Sequence, residues 1–125
     1  METKRTFEGA IRLSPPLNRA EQQFLERFAD TDDCEDGPSP RCPWRPLETG
    51  EGIAWGGDPD APEPVAWLRY LINHYLKPYA HRSRLAGFGD FGFNHYANGV
   101  ITVQEEGRDW LIFVLDNDVT VLPSS

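Results

Sequence analysis

His95 is the residue whose type and setting most invite chemistry. It lies in a stretch that alternates like a β-strand, and a hairpin there would place it opposite Thr102 and near Asp109. A histidine beside a carboxylate and a hydroxyl can move a proton near neutral pH. No serine or cysteine nucleophile stands beside it in the pattern, and a buried histidine needs hydrogen-bond partners whether or not it reacts. The plainer expectation is a structural, hydrogen-bonded imidazole. His74 and His81 could share a metal only if the chain folded back after Pro78. Cys34 and Cys42 lack the close pair and the second pair of a zinc site, and read as two loop thiols. Gly87-Phe-Gly-Asp-Phe-Gly has glycines at suggestive intervals but is followed by a strand rather than a helix, so it reads as a turn and strand entry. Glu105, Glu106 and Asp109 gather at one turn and Asp116 with Asp118 at another. Asp-x-Asp falls far short of a calcium loop, and turn chemistry accounts for Asp116-Asn117. No catalytic residue, metal site or cofactor is expected from these patterns.

Trp44 and Trp55 ask for a different explanation. Tryptophan is costly to leave in water, and aromatic anchors are over-represented at binding hot spots. Both lie in Asp30–Pro62, which opens with Asp30, Asp32, Asp33, Glu35 and Asp36 and continues with prolines at 38, 40, 43 and 46. Those prolines exclude a helix and an inner strand. Residues 31–62 therefore read as an irregular loop anchored by Trp44, Leu47, Ile53 and Trp55, with a short edge strand at Ile53–Trp55. Such loops are usually functional or disordered. This one either covers a sheet face or lines a site.

The elements that position these residues are clearest in the last third, which reads as an antiparallel meander of four short strands. Asn98-Gly99 has the composition of a two-residue hairpin turn between Phe91–Ala97 and Val100–Glu105. Glu106-Gly107 is the next turn, because it sets Glu105 against Arg108 rather than like charges against each other. Asp116-Asn117 joins Trp110–Leu115 to Val119–Leu122. Alternation then puts Tyr96, Ile101, Val103, Trp110, Ile112, Val114, Val119 and Val121 on a core face. The other face carries Phe91, Phe93, His95, Thr102, Gln104, Asp109, Leu111, Phe113, Leu115, Thr120 and Leu122. It is half apolar, too much so to stay bare in a soluble monomer.

Upstream, Thr6–Leu13 alternates as a half-buried strand that ends at Ser14-Pro15-Pro16. Asn18 three residues before Glu21 has the spacing of a capping box, and Ala20, Phe24, Leu25 and Phe28 give a helical stripe to about Ala29. Pro64 suits a first helical turn. Val65, Leu68, Ile72, Tyr75 and Leu76 mark a second amphipathic helix that Pro78 ends. Positive charge at His74, Lys77, His81, Arg82 and Arg84 complements that helix's C-terminal dipole.

The chain of 125 residues reads as one domain, 1–125, long enough for a core without staples. Its 39% hydrophobic and 12% aromatic content suits a folded protein, and its net charge of −8 argues against nucleic-acid or anionic-membrane surfaces. Met1–Thr6 is charged, so no secretory leader is expected, and no apolar run reaches the length of a membrane span. The default expectation is the cytoplasm.

Several short motifs recur together: Phe7-Glu-Gly-Ala-Ile, Pro16-Leu-Asn, Cys42-Pro-Trp, Gly52-Ile-Ala-Trp-Gly-Gly, Trp67-Leu-Arg-Tyr-Leu-Ile, Asn98-Gly99 and Asp116-Asn-Asp-Val. In these, from about Phe7 to Val121, the chain resembles a family of small uncharacterised proteins from actinobacteria and their phages. The resemblance implies a lineage and no activity. The chain departs from the family pattern after Trp55, where Asp58-Pro-Asp-Ala-Pro stands in place of an acidic and aromatic run.

The expected fold is α+β: an antiparallel sheet of about five strands, two helices packed on one face, and a long proline-rich loop. The expected function is a small, acidic, non-catalytic binding protein, an inhibitor, adaptor or immunity-type partner of another protein. Its partner would be a basic protein, or a second copy docked through the mixed face. The alternative is a small-molecule-binding or enzymatic domain with a pocket between loop and sheet. The binding residues in either case are Trp44, Trp55, Phe91, Phe93, His95, Asp109 and Phe113.

Overall fold

A computed structural model describes residues 6–30, 42–56, 63–78, 80, 90–105 and 108–123. The acidic run after Asp30, Cys34, the Asp58–Pro62 departure, the basic residues 81–84, the glycine-rich start at 87–89 and the Glu106-Gly107 turn lie outside these residues.

Over these residues the fold is α+β, with a seven-stranded antiparallel sheet and two helices. The strands are β1 (Thr6–Glu8), β2 (Ile11–Ser14), β3 (Trp44–Pro46), β4 (Gly52–Trp55), β5 (Tyr96–Glu105), β6 (Arg108–Leu115) and β7 (Asp118–Pro123). Their order is β3-β4-β2-β5-β6-β7, with β1 also on β5. The count differs from the expected five for three reasons: the first strand is divided at Gly9-Ala10, the two strands expected either side of Asn98-Gly99 are one, and the proline-rich stretch contributes two short strands. Its prolines are obeyed all the same, since β3, which ends on Pro46, pairs on one side only, while β4 runs inside the sheet between β3 and β2.

The division at Gly9-Ala10 leaves the register unchanged. Thr6 pairs with Gln104 and Glu8 with Thr102, then Ile11 with Gly99 and Leu13 with Ala97. Gly9 sits at φ 111°, where a side chain is strained, and a Cβ there would meet the Val100 carbonyl oxygen at 2.5 Å.

Asn98-Gly99 is not a turn. It lies inside β5, which runs unbroken from Tyr96 to Glu105. Gly99 is there for space: a Cβ would stand 2.7 Å from the Ala10 carbonyl oxygen. With no turn between them, Tyr96 and Ile101 are an odd number of residues apart on one strand and face opposite ways. Tyr96 therefore moves to the outer face and is 47% exposed, while His95 and Ala97 turn inward and are buried. The other two joints follow expectation. Glu105 pairs with Arg108, and Leu115 pairs with Asp118 across Asp116-Asn117, both at positive φ.

The inner face carries Ile11, Leu13, Ile53, Ile101, Val103, Ile112, Val114 and Val119, all in one buried cluster with residues of both helices. Helix α1 (Arg19–Ala29) starts at the expected capping box and contributes Leu25, with Phe24 and Phe28 beside it. Helix α2 (Pro64–Leu71) contributes Trp67, Leu68 and Leu71, then widens into a π-helical turn at Ile72–Leu76 that buries Ile72, Tyr75 and Leu76. The Lys77 amide donates to the Ile72 carbonyl, five residues back. Pro78 has no N–H with which to continue the ladder. The Leu76 carbonyl is taken by the amide of His95, which fixes the entry to β5.

Candidate functional site

His95 is 1% exposed and held at both ring nitrogens. Nδ1–H donates to the Pro15 carbonyl at 2.6 Å, and Nε2 meets the Glu21 carboxylate at 2.7 Å. Glu21, also 1% exposed, is the acid of the capping box. Its Oε1 accepts from the Asn18 amide, and its Oε2 accepts from the Gly92 amide and from His95. Burial opposes charge on both groups. For Glu21, the His95 hydrogen bond, the Asn18 amide, the His95 charge and the Gly92 amide together outweigh that and lower its pKa. For His95, the Glu21 hydrogen bond, the Pro15 carbonyl and the Glu21 charge outweigh burial and raise its pKa. The buried Glu21–His95 pair ties α1, the β2–α1 connection and the approach to β5 together. Thr102 and Asp109, expected beside His95, lie on the opposite face of the sheet.

The aromatic residues divide in the same way. Trp44 and Trp55 pair across β3–β4 on the inner face with Ile53. Trp44 is 1% exposed, and its indole N–H donates to the Pro64 carbonyl at 2.9 Å. Trp55 stacks on Phe7 with ring centroids 3.7 Å apart, and Trp44 meets both rings edge-on. Phe91 packs on Phe24 and Tyr75, on the helix side, with Phe93 against it. Neither phenylalanine lies in a strand, and Phe93 has φ 47°. Of the seven predicted binding residues, only Asp109 and Phe113 occupy the outer face. The expected loop cover is therefore misplaced: the tryptophans extend the inner core because β3 and β4 add to the sheet rather than cross over it.

The outer face keeps its apolar character without them. Val100 pairs with Phe113, and Thr102 with Leu111, which in turn pairs with Leu122. Leu115 follows Phe113 along β6. Leu115 is 57% exposed, Val100 42% and Leu122 40%, with Leu111 and Phe113 half-buried. Tyr96, missed because of the supposed turn, adds a ring at one end beside Ser14. This apolar strip is bordered by Glu8 across from Thr102, Asp109 across from Gln104, Asp118 across from Leu115, and the Asp116 turn. Arg12 and Arg45 lie on the same face, toward the β3 side. Among the described residues no group of three or more His, Cys, Asp or Glu side chains is placed to hold a metal ion. No helix of these residues is long and apolar enough to cross a membrane. Cys42 is buried, its thiol 3.6 Å from the Trp44 carbonyl oxygen.

No family model, curated protein or solved structure matches this chain.

Proposed function

We propose that the protein is a non-catalytic binding domain that docks a basic protein through the outer face of its sheet, as an inhibitor, adaptor or immunity-type partner. The observation that carries this reading is the strip of exposed Val100, Leu115 and Leu122 with half-buried Leu111 and Phe113 on a face opposite both helices. Burying one large apolar side chain is worth about 1.5–3 kcal/mol, so such a strip favours association. Its border is mainly acidic and the chain carries −8 overall, which favours a basic partner and opposes a second copy of itself. The most reactive side chain, His95, is sealed and committed to Glu21, which supports a structural role for it. The resemblance to small actinobacterial and phage proteins is in keeping with a compact accessory domain, and a cytoplasmic setting is part of the same proposal.

The test is site-specific photocrosslinking from position 115 in extract of the native host, with position 26 on the exposed face of α1 as control. A basic protein joined at 115 but not at 26, and released when Phe113→Ser is introduced, is the expected result. A product joining two copies of the chain would replace this partner with a homodimer. No product specific to position 115 would remove the proposal.

A further inference from the structure

Residues 90–94 pass the start of α1 without helix or strand and lead through His95 into β5. Their polar holds on α1 come from its capping box. Asn18 Nδ2 donates to the Asp90 carbonyl at 2.8 Å, and the Gly92 amide donates to Glu21 Oε2 at 3.3 Å. Between these two holds Phe91 packs over Phe24 and Tyr75, with ring centroids 5.3 and 6.4 Å away. Phe93 follows at φ 47°, which is unfavourable for a bulky L-residue. The segment is a strap, and the His95 ring fastens its far end to Glu21 and Pro15.

That fastening needs more protons than its residues carry in neutral water. His95 Nδ1 faces the Pro15 carbonyl oxygen, and Nε2 faces the Glu21 carboxylate. A carbonyl can only accept, and so can an ionised carboxylate, whereas a neutral imidazole has a single N–H. Both contacts are hydrogen bonds only with two protons present, one on Nδ1 and one between Nε2 and Oε2. Above about pH 6.5 the same side chains in water hold one between them. Losing the second sets two acceptors face to face where both residues are 1% exposed. Among the described residues Glu21 is the one charged group that acts on His95. The other approaches are uncharged. The Leu76 carbonyl takes the His95 amide, the Asn117 side chain donates to the His95 carbonyl, and Tyr75 meets the strap through its ring. Asp90 and Asp116, at the strap's start and in the β6–β7 turn, are exposed.

We infer that residues 90–94 are a proton-latched strap, closed over α1 while the Glu21–His95 site holds its second proton and lifted when that proton leaves. Lifting uncovers the aromatic surface of Phe24 and Tyr75. The strap yields first because α1 and β5 are held by their own backbone ladders, whereas two side chains hold the strap to α1. It pivots at His95, whose backbone stays pinned to Leu76 and Asn117. The uncovered surface is on the helix side, away from the outer strip, so the latch stands whether or not that strip docks a partner.

The test follows the wild-type protein by NMR as pH is raised from about 6 to about 10. At the start, two protons on the Glu21–His95 site and an Overhauser contact between Phe91 and Phe24 are expected. As the second proton titrates, that contact should fade. Gly92 amide exchange, corrected for its intrinsic pH dependence, should quicken about tenfold per unit past the midpoint. The Ile101 and Ile112 amides, inside the β5–β6 pairing, should keep their protection. Glu21→Gln keeps the side chain's shape without its charge and should lower the midpoint by at least about one unit. If that variant does not fold, the wild-type readouts decide alone. A single proton on the site at pH 6 would overturn the inference. So would both protons retained at pH 10, a Phe91–Phe24 contact that outlasts the second proton, or a strap lost only together with the Ile101 and Ile112 amides. An unmoved midpoint in folded Glu21→Gln would overturn it as well.

Discussion

Glu21 shows how far a single residue can be read. Its spacing from Asn18 announced the capping box, and the structure has both reciprocal bonds. Its second role was invisible, because His95 is 74 positions away and arrives only when the turn after α2 hands its Leu76 carbonyl to the His95 amide. The imidazole has the hydrogen-bond partners expected of a buried histidine, and one of them is a buried carboxylate. The pair gives a pH dependence of defined sign. Glu21 is lowered from 4.5, so its contribution is present above that value and is lost as pH falls through the lower folded value. His95 is raised from 6.5, so its contribution is complete below that value and is lost as pH rises through the higher folded value. Stability measured by urea unfolding should therefore peak between these limits and fall on either side. In His95→Gln the alkaline decline should disappear. Removing one partner, as in Glu21→Ala, leaves a buried unpaired group and should destabilise by about 3–5 kcal/mol at pH 6. An unchanged alkaline limb in His95→Gln would show that another group governs it.

At the scale of elements, what was legible was local and what was missed was a choice between two uses of the same residues. Asn98-Gly99 and Asp116-Asn117 both have the composition of a tight turn, and only the second is one. The first supplies its docking site instead. Asn98 Oδ1 accepts from the Asp116 amide at 2.9 Å, and Asn117 reaches back with Oδ1 to the Ala97 amide and with Nδ2 to the His95 carbonyl. Propensity ranks both pairs highly, but it cannot tell that β2 will need Gly99 for close approach. The two helices and the inner residues of β6 were plain from periodicity. The prolines obscured the strand at Trp44–Pro46, which they allow because it lies at the edge, and the edge strand expected at Ile53–Trp55 is present as Gly52–Trp55 but runs inside the sheet. Gly99→Ala should then cost about 1–3 kcal/mol, because the added Cβ meets backbone that cannot give way. Asn117→Gly keeps the positive φ and removes the side-chain bonds, so it should cost about 1–2 kcal/mol. Chemical denaturation reads both. A neutral Gly99→Ala would contradict the pairing of β5 with β2.

Among the described residues, one face of the sheet is buried under the helices and the other keeps apolar side chains partly or largely exposed, and substitution separates them. Ile112 is completely buried among the helices, and Ile112→Ala should destabilise by about 2–5 kcal/mol. Leu115, three positions along the same strand, is more than half exposed, and Leu115→Ser should change stability by no more than about 0.5 kcal/mol. Partner binding should respond in the reverse order. Leu115→Ser combined with Phe113→Ser removes the centre of the strip and should weaken a captured partner by at least tenfold, while Ile112→Val leaves affinity unchanged. The acidic border adds a second signature. Because Asp109, Asp116 and Asp118 surround apolar contacts rather than forming a buried ionic core, added salt should slow association more than it hastens dissociation. Asp109→Asn with Asp118→Asn should flatten that salt dependence without unfolding the domain, as measured by surface-capture kinetics across ionic strengths. If the serine pair binds as tightly as wild type, or if affinity is lost only when Ile112 is truncated, the outer strip is not the docking surface and its exposure has another cause.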